Sequence, residues 1–127
     1  MRFTFKKEEK LSSNIAIKAL HREGKTLKQY PFLIFWKYVE LESDFPAKIA
    51  FSVAKKRFKL AVDRNLMKRR LREGYRLNKH ELYQVLNSQN KKIEILLVYI
   101  STDFIETKVL ESKMKVLLQK LINEISD

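Results

Sequence analysis

Residues 51–76 read FSVAKKRFKLAVDRNLMKRRLREGYR, a strand end that passes through a basic turn into a helix. Small and large residues alternate over 48–55, which is the two-residue period of a β-strand. From residue 60 the period lengthens. At about 100° per residue, Met67, Leu71, Gly74, Tyr75 and Leu82 share one sector, while Asn65, Lys68, Arg69, Arg72, Arg76 and Lys79 fall within an arc of roughly 100°. One face packs and the other reaches outward. The spacing predicts a helix over 60–86, broken near Lys79, in which Gly74 marks a close approach to a strand.

Between residues 55 and 79 stand eleven basic residues against two acidic ones, Asp63 and Glu73, which is +9 of the chain's net +12. Two carboxylates cannot pair with so many cations. Like charges four apart, as at Lys68 with Arg72 and Arg72 with Arg76, oppose helix formation by a few tenths of a kcal/mol per pair. Such a face fits an external polyanion, and arginine suits bidentate phosphate contact. A membrane-surface helix needs its apolar side free for lipid, whereas this one is needed to cover a sheet.

At 127 residues and 45% hydrophobic, the chain has the size of one ordinary domain with a real core, so residues 1–127 are read as a single domain. Cysteine is absent and the two histidines, His21 and His80, are far apart, which removes thiolate chemistry and a histidine metal cluster. The longest apolar runs, 32–36 and 95–100, are far shorter than the roughly 20 residues that span a bilayer. The N-terminal stretch MRFTFKKEEK lacks the apolar block of a secretory signal, so a cytoplasmic protein without a membrane partner is expected.

Working outward, 11–23 suits a helix with Gly24 at its C-terminal end. Residues 25–30 suit an edge strand, 32–40 a stronger strand, 43–46 a turn, and 87–92 a polar loop. Residues 93–100 are too continuously apolar for an edge and read as a central strand. Asp103 with Glu106 resembles a helix start, and Leu110, Met114, Leu117, Leu121 and Ile125 form the apolar stripe of a last helix. The order is αβββαβα, an α+β class. A nuclease working by its own side chains needs clustered carboxylates or a histidine pair; Glu8, Glu9, Glu40, Glu42 and Asp44 read instead as solvated terminal or loop residues. A different RNA-binding module and a DNA-binding helix remain compatible with the basic face alone.

Ser52, Lys55 and Lys56, followed by Ala61, Val62, Arg64, Asn65, Lys68, Arg69 and Arg72, reproduce the pattern S-x-x-K-K then A-V-x-R-N-x-x-K-R-x-x-R. In this the sequence resembles the protein subunit of bacterial ribonuclease P, and FKKEEKL at 5–11 resembles that family's N-terminal segment. The resemblance implies a two-layer α+β fold similar to the second domain of ribosomal protein five of the small subunit. It includes a left-handed β-α-β crossover, opposite in hand to about 98% of such connections.

The resemblance also implies an RNA subunit that catalyses removal of the 5′ leader from precursor tRNA with Mg²⁺, the protein alone binding no cofactor. Its partners are then that RNA and precursor tRNA, with no DNA expected. Carried over by motif, Lys55, Lys56, Arg57, Arg64, Asn65, Lys68, Arg69, Arg72 and Arg76 lie against the RNA subunit. The family's leader cleft, between the first helix and the sheet, takes in Ile17, His21, Phe32, Ile34, Phe35, Trp36 and Phe51. Ile17 and His21 stand where the family usually has Phe, and Leu66 where it commonly has a basic residue. Alternation along the second strand separates Phe32, Ile34 and Trp36 from Leu33 and Phe35 without saying which set lines the cleft.

Overall fold

The computed structural model describes residues 4–40 and 42–126. The elements are α1 (Asn14–Glu23), β1 (Lys25–Gln29), β2 (Phe32–Tyr38), β3 (Ala47–Val53), α2 (Ala61–Asn78), α3 (His80–Ser88), β4 (Ile93–Tyr99) and α4 (Thr107–Ser126). A short 3-10 turn, Lys7–Glu9, precedes them. The sheet order is β1-β2-β4-β3, so the apolar strand β4 is internal, as its composition predicts. β1, β2 and β4 run antiparallel in turn, whereas β3 is parallel to β4 and reaches it through α2 and α3.

Two boundaries shift for identifiable reasons. The first helix starts at Asn14 and not at 11, because the Leu11 amide donates to the Ile49 carbonyl at 2.9 Å and so extends the sheet past β3. Ser13 then caps the helix, its hydroxyl accepting from the Ala16 amide at 3.2 Å. The last helix starts at Thr107, since the Asp103 amide is engaged with Ser101 Oγ within the preceding loop.

Register sorts the sheet into two faces. On one, Phe32–Tyr99–Val53, Ile34–Leu97–Phe51 and Trp36–Ile95–Ile49 run across the strands and pack under Met67, Leu71 and Tyr75 of α2, Leu82 and Leu86 of α3, and the predicted stripe of α4. Each fully buried large side chain there contributes about 1.5–3 kcal/mol. On the other face run Phe35–Leu96–Ala50 and Leu33–Val98–Ser52; Phe35, Leu96, Ala50 and Val98 cluster with Leu11 and with Ala16, Ile17 and Leu20 of α1. One ten-residue helix cannot cover that face, and Leu33, Phe35, Ala50, Ser52 and Val98 stay half-buried.

Of the two glycines, only Gly24 marks a close approach that excludes a side chain. A Cβ on Gly24 would meet the Leu20 carbonyl oxygen at 2.6 Å and the Trp36 amide at 3.3 Å, so α1 can turn into β1 only without a side chain there. Gly74 lies against α4 and not against a strand, with a Cβ meeting Met114 Cβ at 3.5 Å.

The break at Lys79 is bound up with the N-terminal segment. Lys79 and Glu9, 70 residues apart, form a buried ion pair, and Lys79 Nζ also donates to the Thr4 carbonyl. Glu9 further accepts from the Tyr83 hydroxyl and the Lys6 amide, both at 2.7 Å. Burial raises the Tyr83 and Tyr75 phenols, whose hydroxyls lie 3.1 Å apart, well above the ordinary tyrosine range. Lys79 therefore leaves the basic face expected from its helical position, and Glu9 is no solvated terminal carboxylate.

Candidate nucleic-acid interface

The basic residues around α2 divide into two groups. Arg57 Nη1 donates to the Ile100 carbonyl at 2.8 Å, Arg64 Nη1 to the Phe58 and Lys59 carbonyls at 2.9 Å each, and Arg70 Nη1 to the Ile105 carbonyl at 2.8 Å. Arg76 Nε donates to Glu73 at 3.1 Å, a bond that holds the Glu73 carboxyl below its usual range. Arg64 and Arg70 thus tie α2 to the segments after β3 and β4, Arg57 ties those two segments to each other, and Arg76 is held within α2. By contrast, Lys55, Lys56, Arg69 and Arg72 are exposed and Lys68 is half-buried, and among the described residues their side chains make no hydrogen bond or ion pair. Exposed Asn65 lies between them on the same face. Cations held apart on a rigid helix, with no internal acid to answer them, form a surface complementary to a phosphate backbone.

The residues expected at the leader cleft are not brought together as one set. Phe32, Ile34 and Trp36 belong to the core between the sheet and α2/α4, where Trp36 is 1% exposed, and they offer nothing to a ligand. The physical reason is strand alternation: once Trp36 points at the α2/α4 core, its neighbours two residues away follow it. Phe35 takes the opposite face, with the His21 ring 4.8 Å from its own, centroid to centroid. Phe51 sits on the core face but on edge strand β3, half-buried between Phe5 at 6.1 Å and Tyr75 at 5.9 Å.

A shallow groove passes this edge. Ile17 of α1 and Ala50 and Phe51 of β3 form its apolar part, and Lys10, Lys68 and Arg72 form its cationic side. The open sheet face and the exposed face of α2 thus meet at β3. Sequence reasoning missed Ala50, Leu96 and Val98, whose signal was present in strand period but needed one buried residue to fix the sign, and Lys10, which only the long-range bridge to Ile49 brings to β3.

The family model described as Ribonuclease P matches residues 5–122. A ribonuclease P protein component of Porphyromonas gingivalis is 32% identical over 123 residues, covering 97% of this chain and 90% of that one. The chain belongs to the ribonuclease P protein family. A second member, from Chlorobium phaeobacteroides, is 33% identical over 105 residues, 76% of this chain and 72% of its own. Among solved structures, the RNase P protein of Staphylococcus aureus superposes with a TM-score of 0.69 at 17% identity, over 89% of this chain and 94% of that one. That of Thermotoga maritima gives 0.68 at 21%, over 88% and 96%. The mixed four-stranded sheet with four helices is thus the fold of ribonuclease P proteins.

Among the described residues no group of three His, Cys, Asp or Glu side chains forms a metal site, and no helix is long and apolar enough to cross a membrane.

Proposed function

We propose that residues 1–127 act as one RNA-binding domain, the protein subunit of a ribonuclease P that removes the 5′ leader of precursor tRNA in the cytoplasm. The exposed face of α2, with Lys55 and Lys56, lies on the RNA subunit, and the cleft between α1 and the open sheet face holds the leader. Membership of the family supports the ribonucleoprotein role. The observation that carries the division of labour is the groove at β3, where Ile17 and Ala50 face Lys68 and Arg72. A strand leaving the RNA surface enters it with its phosphates beside Lys68 and Arg72 and its bases toward Ile17, Phe35 and His21. The departure from Phe at 17 and 21 makes this cleft less aromatic than the family's, with the His21–Phe35 pair as its remaining stacking surface.

Arg57 and Arg64 serve the RNA contact by holding the turn in place, since each spends one nitrogen on backbone carbonyls and keeps further donors. Catalysis belongs to the RNA, which binds the Mg²⁺; this chain supplies binding and orientation and no cofactor of its own.

The test is 5′ maturation of a precursor tRNA by the matching RNA subunit at low Mg²⁺, with and without the protein and with the protein alone. Cleavage that requires both components supports the reading. Cleavage by the protein alone, or no effect of the protein on the RNA, overturns it.

A further inference from the structure

The loop between β4 and α4, residues 100–106, is fixed from both ends by arginines. Arg57 holds its Ile100 carbonyl and Arg70 its Ile105 carbonyl, each at 2.8 Å. Inside it the Tyr99 hydroxyl donates to the Asp103 carbonyl at 2.7 Å, and the Asp103 amide donates to the buried Ser101 Oγ at 3.0 Å. Yet this loop keeps Phe104 51% exposed, its ring in a T-shaped contact with Phe58 at 4.9 Å.

A single exposed aromatic is ordinary; what surrounds this one is not. Phe58 lies between Arg57 and exposed Lys59, with Arg64 bonded to the backbone of both Phe58 and Lys59. Three residues after Phe104, Thr107 opens a shallow groove whose other wall is Leu66, Arg69, Arg70 and Glu73, the last paired with Arg76. The loop backbone beside the ring is held by Arg70 through the Ile105 carbonyl, and the groove at Thr107 leads from this loop to Arg69 of the exposed α2 face, while Asp103 and Glu106 flank Phe104 in the loop itself.

We propose that Phe104 is a stacking platform for one unpaired base of the RNA subunit, with the adjoining phosphate against Arg69. The inference rests on the reading of α2 as the RNA-binding face. Unpaired RNA bases are bound by stacking on aromatic rings beside cationic tracks. The net excess of cations here, Arg57, Lys59, Arg64, Arg69 and Arg70 against Glu73, Asp103 and Glu106, favours a polyanion over an apolar protein partner. Leu66 fits the same picture, giving the groove an apolar wall beside the base where a further cation would face only phosphate.

The experiment measures Kd of the full chain for its RNA subunit across a salt series. The proteins compared are wild type, Phe104→Ala, Phe104→Leu, Phe104→Trp and the double variant Arg69→Glu/Arg72→Glu. Phe104→Ala and Phe104→Leu are expected to bind about tenfold more weakly with the salt slope unchanged, and Phe104→Trp to bind like wild type. If Phe104→Ala fails to fold, the Leu and Trp pair decides alone, because Leu keeps apolar contact with Phe58. Wild-type affinity in Phe104→Leu overturns stacking, whether the position is idle, makes a plain apolar contact, or serves a protein partner. If the Phe104 variants bind normally while the double variant loses affinity and slope, only this proposal falls. An unchanged slope in the double variant removes the α2 reading as well.

Discussion

The two faces of the sheet carry the same kind of residue to different ends. Trp36 and Phe35 are neighbours on β2; one is sealed under α2 and α4, and the other lies half-open beside His21 under a single short helix. The closed face concentrates stability, and the open face leaves apolar surface where a ligand can use it. The same split runs along α2, whose buried Met67, Leu71 and Tyr75 hold the core while Arg69 and Arg72 hold nothing among the described residues.

This contrast breaks most severely at the closed side. Glu9→Ala leaves the Lys79 charge buried without its carboxylate, and a loss of about 3–5 kcal/mol is expected in urea unfolding. Trp36→Ala empties a large core site and is expected to cost about 3–5 kcal/mol as well. Gly24→Ala presses a methyl group on the Leu20 carbonyl, for about 1–3 kcal/mol, read in the same assay.

On the open side the balance reverses. Phe35→Ala gives up only a half-buried ring, about 1 kcal/mol. It is nevertheless expected to weaken binding of leader-bearing precursor tRNA relative to leaderless tRNA, measured with the assembled ribonucleoprotein. An equal loss for both substrates would remove Phe35 from the cleft. Arg69→Glu/Arg72→Glu is expected to leave the unfolding midpoint in place, since the like-charge repulsion it relieves is small, and to act on RNA binding alone.

Sequence reading reached features that rest on local pattern, among them the apolar stripe of α4. The exposed α2 face from Asn65 to Arg72 was legible because helical period and charge coincide there, and β4 was legible as a central strand because it is apolar throughout. Alternation on β2 separated Phe32, Ile34 and Trp36 from Phe35 but left the direction of each set open, so three core residues were assigned to the cleft. Long-range pairing was out of reach. Nothing local in FKKEEKL indicates that Glu9 meets Lys79, or that the Leu11 amide completes the edge of β3 and delays the first helix.

The most direct test of the division between the faces is the slope of log K against log salt for RNA-subunit binding. It is measured for wild type, Arg69→Glu/Arg72→Glu and Phe35→Ala. The double variant is expected to flatten the slope by about two units, one for each lost phosphate contact, while Phe35→Ala leaves it unchanged. A double variant with the wild-type slope would contradict the account, because the exposed face of α2 would then lie outside the RNA interface.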